Sequence, residues 1–261
     1  MVLPCRGTTK QVQNKEVEGG VRMPFIRLDK FFSSQEILSR SEIKFLLKAG
    51  QVTVNGGLEK NSARKIDTER DKVSLRGENI PYKPYIYLML NKPRGIICAT
   101  EDRKSPTVLD LVPPALYRTG LFPAGRLDKD TTGFVLLTND GDFAHEILSP
   151  NKHIEKTYDV ELDGVLREED IEKIRQGIIL ADGTICRPAK IRIRKTVPQT
   201  QAEIVLTEGK YHQVKRMFGV LGLGVTALKR TKMGNLPLDP NLEEGKCREI
   251  LHKDVEKILG I

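Results

Sequence analysis

The sequence predicts an α+β protein built from a small N-terminal α/β domain and a larger domain on a mixed, mainly antiparallel sheet. Residues 26–56 show two short helical patterns followed by small alternating strands. The segment GENIPYKPYIY, residues 77–87, contains a glycine and two prolines, as linkers often do. Beyond it, most patterned segments alternate like strands and follow one another through short turns. We therefore expect a disordered extension over residues 1–22, a small domain over 23–80 and a larger domain over 81–261.

The small domain is predicted from local signals taken in chain order. Apolar residues at helical spacing within residues 28–32 predict a first helix. Ser39 and Glu42 form a capping-box signature for a second helix, and Gly50 follows where that helix would end. The alternating QVTVNG, residues 51–56, predicts a strand and a tight Asn-Gly turn. The outward faces of this domain carry basic residues, namely Arg27, Lys30, Arg40, Lys44 and Lys48.

The larger domain is predicted to be rich in strands, with a few helices between them. An amphipathic helix is expected within residues 210–222, because apolar residues recur there at i, i+3, i+4 and i+7. Two further helices are expected over residues 142–150, opened by Asp142, and over residues 167–177. The predicted strands are YIYLMLNKP (85–93), GIICAT (95–100), FVLLTND (134–140), TYDVEL (157–162), CRPAKIRIRK (186–195), QAEIVLTEG (201–209) and VTALKRTKMG (225–234).

The charge of the chain indicates an anionic partner. There are 43 Lys and Arg residues against 35 Asp and Glu residues, a net charge of +8. Two windows, residues 183–202 and 209–232, are rich in Lys and Arg and contain no acidic residue. Such clustering favours nucleic acid over an anionic membrane. The candidates for nucleic-acid contact in the second window are Lys210, Arg216, Lys229 and Arg230.

Other features argue against several classes of protein. The four cysteines are far apart in sequence and the four histidines lack metal-ligand spacing, so we expect no metal and a reduced, cytoplasmic environment. No GxGxxG or GxxxxGK[ST] motif is present, which argues against a nucleotide cofactor. No apolar run approaches the ~18 residues of a membrane span. Without heptads or large unexplained apolar faces, a monomer is expected.

The stretch GRLDKDTTGF, residues 125–134, has an unusual composition for a turn that leads into a buried strand. A turn requires Gly and Asp, but it does not require Arg126 and Asp128 spaced around Leu127. An Asx turn or a loop ion pair is the purely structural explanation for Asp128. The alternative is that Asp128 is a functional carboxylate.

The motifs around Asp128 resemble the pseudouridine synthases of the ribosomal small-subunit synthase A type, and the small domain resembles the S4-type RNA-binding domain. The resemblance extends over about residues 26–250. It implies a pseudouridine synthase fold and an isomerase that converts a uridine of 16S ribosomal RNA, free or in a small-subunit assembly intermediate, without a cofactor. The motifs are RLDKFF, SRSEIKFLLKAGQVTVNG and DKVSL in the small domain, then LNKPRGIICAT, GRLDKDTTGFVLLTNDGDFAHEILSP, EKTY and EGKYHQVKRMFGVLG.

The resemblance also implies roles for individual residues. Asp128 of GRLD is implied as the catalytic aspartate and Tyr158 of KTY as the residue against the target base. Lys215 corresponds to the basic residue that pairs with the aspartate, where related branches usually carry Arg. Leu228 fits the aliphatic residue beneath the pocket, and Arg126 the residue that helps to flip the base out. The basic helix faces of the small domain would grip RNA backbone.

The chemistry requires one ionised carboxylate beside the sugar, and two routes remain open. Asp128 either attacks the anomeric carbon or removes the neighbouring sugar proton to give a glycal. Lys215 would keep Asp128 ionised, because a nearby cation opposes protonation of a carboxylate. His212 suggests a general base, but its sequence neighbours supply no partner, so we assign it no role.

Two other functions are compatible with these motifs. One is a synthase of the sister branch that acts on large-subunit (23S) ribosomal RNA; the Lys in HQVKRM favours the small-subunit branch. The other is a non-catalytic RNA-binding or ribosome-assembly factor that retains the fold. The presence of Asp128, Tyr158 and Lys215 argues against this second alternative.

Overall fold

A computed structural model describes residues 25–196 and 199–260. The extension expected to be disordered, residues 1–22, lies outside the described residues. The described chain forms two compact units. The first comprises residues 25–33 and 38–82, and the second comprises residues 34–37 together with the described residues from 83 onward.

The first unit has two helices and two small sheets around one apolar core. The sheets have the strand orders β1-β4 and β3-β2-β5-β6. The predicted capping box is confirmed, since Ser39 Oγ accepts from the Glu42 N–H (3.3 Å) and Glu42 Oε2 accepts from the Ser39 N–H (2.8 Å). Its elements are β1 (Phe25–Arg27), α1 (Leu28–Ser34), α2 (Arg40–Lys48), β2 (Val52–Val54), β3 (Gly57–Leu58), β4 (Lys65–Asp67), β5 (Val73–Leu75) and β6 (Glu78–Ile80).

The second unit is organised around one large sheet. Its helices are α3 (Gly141–Leu148), α4 (Glu168–Gln176), α5 (Gln213–Val220) and α6 (His252–Leu259). Its strands are β7 (Tyr87–Lys92), β8 (Phe122–Pro123), β9 (Thr132–Thr138), β10 (Lys156–Leu162), β11 (Lys190–Lys195), β12 (Gln201–Leu206), β13 (Val225–Met233), β14 (Leu236–Pro237) and β15 (Cys247–Glu249).

The large sheet is mixed and mainly antiparallel, so the predicted fold class is confirmed. The strand order is β11-β12-β10-β13-β9-β7-β15, with β14 paired to β13 and β8 paired to β9. Of these pairings, β13 with β9 is parallel and the others are antiparallel. The parallel pair places the start of β9, and therefore the loop that contains Asp128, beside the middle of β13.

Both faces of the sheet are covered, which explains the uninterrupted apolar run in FVLLT. Val135 and Leu137 of β9 point into a core that includes residues of α4 and α5. Phe134 and Leu136 point into a second core that includes residues of α3 and α6. None of the helices in the described ranges is long and apolar enough to cross a membrane.

Gly133 permits the close approach of β9 and β13. Its φ is +98°, and a Cβ at this position would lie 2.2 Å from the backbone oxygen of Arg230. Any other residue would therefore push the two strands apart. This steric requirement accounts for the second glycine of the GRLDKDTTGF stretch.

Two local predictions are wrong. The segment GIICAT does not form a strand of the sheet, because Ile97 bonds instead to Pro106 and Val108 of a neighbouring loop and makes only an isolated bridge to Thr107. Helix α3 is capped by Asp140 rather than opened by Asp142, since Asp140 Oδ1 accepts from the Phe143 N–H at 3.0 Å.

Candidate active site

Asp128 lies in the loop between β8 and β9, next to a buried anchor. The side chain of Leu127 is buried, and the Leu127 N–H lies 3.3 Å from Cys98 Sγ. Thr131 N–H donates to the Asp128 carbonyl at 3.1 Å, which closes a turn. Because Leu127 is held inward, Arg126 is exposed and the Asp128 side chain remains 28% exposed. The spacing of Arg126 and Asp128 around Leu127 thus presents both to solvent.

A buried lysine, Lys92, stabilises this loop by hydrogen bonds to its backbone. Lys92, the last residue of β7, is 0% exposed. Its ammonium group donates to the carbonyls of Pro93 (3.1 Å), Lys129 (3.2 Å) and Thr131 (2.8 Å). Burial lowers the pKa of Lys92 from its ordinary value. Sequence reasoning assigned no role to Lys92, although it belongs to the quoted LNKPRG motif.

Strands β10 and β13 bring Tyr158 and Leu228 to the same pocket as Asp128. Tyr158 is 8% exposed and Leu228 is 7% exposed. Val160, two residues after Tyr158, pairs with Leu228 across the two strands. Asp128, Tyr158, Leu228 and Arg126 all line one pocket of about 80 Å³. A larger pocket of about 560 Å³ is also lined by Arg126 and Asp128, so there is open space beside the carboxylate.

Lys215 on α5 reaches both aspartates of the loop. Its Nζ lies 2.5 Å from Asp130 Oδ1 and 3.7 Å from Asp128 Oδ2. The hydrogen bond from Lys215 lowers the pKa of the Asp130 carboxyl. Lys215 is therefore within ion-pair distance of Asp128, but its nearer partner is Asp130, which sequence reasoning did not indicate.

His212, to which we assigned no role because its sequence neighbours supply no partner, contacts Asp128 in the structure. Its Nε2 lies 3.5 Å from Asp128 Oδ1. The imidazole ring stacks on Tyr211 with a centroid distance of 3.9 Å and an interplanar angle of 17°. His212 has a φ of +47° and immediately precedes α5. The contact joins residues far apart in sequence, which is why no local pattern indicates it.

Basic residues of the two acid-free windows form ion pairs with acidic residues that lie outside these windows. Lys210 lies 2.9 Å from Glu208, one residue before the second window. Arg216 lies 2.5 Å from Asp182, one residue before the first window. Lys229 is half-buried on β13. The charge available to an anionic ligand is therefore smaller than the two windows suggest.

Arg230 was expected to contact RNA from the surface, but its side chain is buried. It is only 2% exposed and lies on β13, between β9 and β10. Arg230 Nε donates to the carbonyl of Phe134 at 2.7 Å. Arg230 Nη2 is buried and has no hydrogen-bond partner within the described part of the chain.

In the first unit, the basic candidates lie on the surface. Arg27 forms an ion pair with Asp29 at 2.6 Å. The other four are exposed, namely Lys30, Arg40, Lys44 and Lys48. Among residues 25–196 and 199–260, no group of His, Cys, Asp or Glu side chains has an arrangement suited to a metal ion.

The chain is similar to known pseudouridine synthases over most of its length. A family model described as RNA pseudouridylate synthase matches residues 86–219. The chain therefore belongs to this family, and the predicted enzyme class, an isomerase that forms pseudouridine, is confirmed.

Several relatives carry more specific names. The ribosomal small subunit pseudouridine synthase A of Pasteurella multocida is 40% identical, and the alignment covers 88% of this chain and 98% of the relative. The protein of the same name from Escherichia coli (strain K12) is 37% identical, with 90% and 100% covered. A crystal structure of a pseudouridylate synthase has 38% identity and a TM-score of 0.63, covering 89% of this chain and 99% of that chain.

Proposed function

We propose that this protein converts one uridine of small-subunit (16S) ribosomal RNA into pseudouridine, with Asp128 as the catalytic carboxylate. The observation that carries the proposal is the shared pocket of Asp128, Tyr158 and Leu228 in a chain of this family. The choice of 16S RNA is supported by relatives named ribosomal small subunit pseudouridine synthase A, whose length this chain spans almost completely.

In this reaction the bond between uracil N1 and C1′ of ribose breaks, the base turns, and C5 bonds to C1′. The proton on C5 is lost and N1 gains one, so the overall composition is unchanged. Asp128 either attacks C1′ or removes the C2′ proton, and both routes require the ionised carboxylate next to the sugar. The exposure of 28% of the Asp128 side chain leaves it accessible to a nucleotide.

Two cationic or polar groups support the charge of Asp128. The positive charge of Lys215 Nζ lies 3.7 Å from Asp128 Oδ2 and attracts the negative charge of the carboxylate. His212 Nε2 at 3.5 Å faces the other carboxylate oxygen. Lys215 is itself oriented by Asp130 at 2.5 Å, so Asp130 acts as a positioning residue for the ammonium group.

The target uridine must leave its stack, which costs a few kcal/mol. Tyr158 and Leu228 line the pocket beside Asp128, and the flipped base would lie against these two side chains. Contact with the ring of Tyr158 would return ~1–3 kcal/mol. Arg126 is exposed at the pocket mouth and would fill the place that the base leaves.

Residues 23–80 would serve as an S4-like RNA-binding domain and residues 81–261 as the catalytic domain. The exposed basic residues of α1 and α2 would contact RNA phosphates and position the substrate without reading its sequence. Binding should therefore weaken steeply as salt concentration rises.

The proposal is tested by mapping pseudouridines at single-nucleotide resolution in both large ribosomal RNAs from cells with and without this protein. We expect one site in 16S RNA to disappear when the protein is absent. Loss of a site in 23S RNA alone would assign the enzyme to the large-subunit branch. If no site disappears and the purified protein modifies neither RNA, the non-catalytic binding function would replace the proposal.

A further inference from the structure

We infer that a cleft beside the Asp128 pocket binds a phosphate group, and that a backbone phosphate next to the flipped uridine occupies it in the proposed reaction. This inference rests on the proposed function for the identity of the RNA. The phosphate-binding property of the cleft stands on geometry and charge alone.

The cleft has a volume of about 430 Å³. Its walls come from the β8–β9 loop, the end of α3, the start of β10 and the segment that follows β12. Ser149 and Thr207 line it together with the apolar residues Leu148 and Pro150. Its charged lining residues are Arg126, Lys156, Glu208 and Arg230.

Arg230 gives the strongest support for an anionic ligand in the cleft. This side chain lines the cleft, yet it is only 2% exposed. Its Nε is satisfied by the Phe134 carbonyl, whereas Nη2 has no hydrogen-bond partner among the described residues. A buried guanidinium donor without an acceptor is costly, and phosphate oxygens are among the acceptors that guanidinium groups bind most strongly.

Lys156 brings a second cation to the same cleft. Its Nζ donates to the Ile154 carbonyl at 2.9 Å, which leaves further donors of the ammonium group available. Burial, together with repulsion from Arg230, lowers the pKa of Lys156 to about 8. Two cations that repel each other at one buried site are stabilised when an anion binds between them.

The acidic residue of the cleft does not cancel this charge. Glu208 is already bound by Lys210 at 2.9 Å, by the side-chain amide of Gln213 at 2.7 Å and by the Arg187 N–H at 2.9 Å. Within the described part of the chain, no ion pair joins Lys156 or Arg230 to a carboxylate. The cleft therefore has an uncompensated positive charge at its base.

The position of the cleft identifies which phosphate would occupy it. Lys156 and Tyr158 are two residues apart on β10 and so share one face of the sheet. Tyr158 pairs directly with Arg230, which places their side chains on the same face. Tyr158 and Arg126 line both the cleft and the Asp128 pocket. A uridine inserted against Tyr158 would thus carry an adjoining phosphate toward Lys156 and Arg230.

The test compares Lys156→Met with the matched control Lys253→Met, an exposed lysine on α6 outside the cleft. The substrate is a 16S RNA fragment that contains the mapped uridine, with methylphosphonate replacing one phosphate at a time. At one phosphate adjoining the target, we expect wild type and Lys253→Met to lose about tenfold in affinity, the size of one charge-assisted hydrogen bond. Lys156→Met should already bind more weakly than wild type and should lose clearly less affinity on the same replacement, because only Arg230 is left to contact that phosphate.

Three other outcomes would overturn part or all of the inference. If no single methylphosphonate separates Lys156→Met from wild type, but millimolar inorganic phosphate raises the melting temperature of wild type and not of Lys156→Met, the ligand is free phosphate rather than RNA. If neither probe separates the two proteins, the cleft does not bind phosphate. If Lys156→Met lowers kcat with an unchanged KM, Lys156 acts on the chemistry instead. Failure of the proposed function is recognised separately, because wild type would then form no pseudouridine.

Discussion

Two lysines, one buried and one half-buried, lie close to the Asp128 pocket, and their surroundings differ. Lys92 is fully buried beneath the Asp128 loop and donates to three carbonyls. Lys156 is half-buried in the cleft, donates to one carbonyl and is repelled by Arg230. The first ammonium group has its hydrogen bonds satisfied within the protein, and the second does not. The comparison separates an ammonium group whose acceptors all come from the protein from one that keeps donors available to solvent or to a ligand.

The largest expected difference between the two lysines is in stability. Lys92→Met leaves buried carbonyls without a donor, so we expect the free energy of unfolding to fall by about 1–3 kcal/mol. Lys156→Met removes a cation that Arg230 repels, and the free energy of unfolding should stay within about 0.5 kcal/mol of wild type or rise. Urea unfolding of both variants measures this. A larger loss for Lys156→Met than for Lys92→Met would contradict the distinction between the two sites.

A third lysine, Lys215, differs from both of these, because its ammonium group faces two carboxylates rather than carbonyls or another cation. We expect Lys215→Met to lower the single-turnover rate by about tenfold, since a charge at 3.7 Å in a partly solvated site is worth on the order of 1 kcal/mol or more. Lys215→Arg should retain most of the rate, because Arg also supplies a cation. Equal rates for Lys215→Met and wild type would remove this residue from the support of Asp128.

The smallest expected effect is a pH dependence of the KM for RNA, which should require Lys156 in the cleft. A bound phosphate favours the charged ammonium group and therefore raises the pKa of Lys156 above its free value of about 8. Well below pH 8 the lysine is protonated in both states and the KM for RNA is flat. Above it, binding takes up a proton, so KM should rise several-fold between pH 7.5 and about 9.

The charged groups that face Lys156 in the cleft are Arg126, Glu208 and Arg230. The two arginines remain charged over this range and Glu208 remains ionised, since its pKa is lowered. The same titration on Lys156→Met is the control and should give a flat KM. Parallel profiles for wild type and the variant would assign the pH dependence to another group.

Much of the central site was predictable from sequence because its residues lie in contiguous motifs. Asp128 is marked by its Gly-flanked loop ahead of an apolar strand, and the structure places Tyr158 and Leu228 in the same pocket. The contacts of His212 and Lys215 with the Asp128 loop were harder to predict, because they join positions more than 80 residues apart.

The basic residues show the limit of composition as evidence. A window without acids indicates a positive surface, but Arg216 is paired to Asp182 from a different part of the chain. Arg230 belongs to the same window and is buried in the middle of the sheet. Its unpaired donor depends on which strands flank β13, and that is a property of the topology rather than of the local sequence.

The most direct test of Asp128 uses purified wild type, Asp128→Asn and the matched control Asp130→Asn, with pseudouridine formation measured on 16S RNA. The control removes the nearby carboxylate that orients Lys215 but leaves Asp128 in place. We expect Asp128→Asn to bind RNA within about twofold of wild type and to form no detectable pseudouridine, while Asp130→Asn keeps a rate within about tenfold of wild type. Pseudouridine formation at the wild-type rate by Asp128→Asn would show that Asp128 is not the catalytic carboxylate.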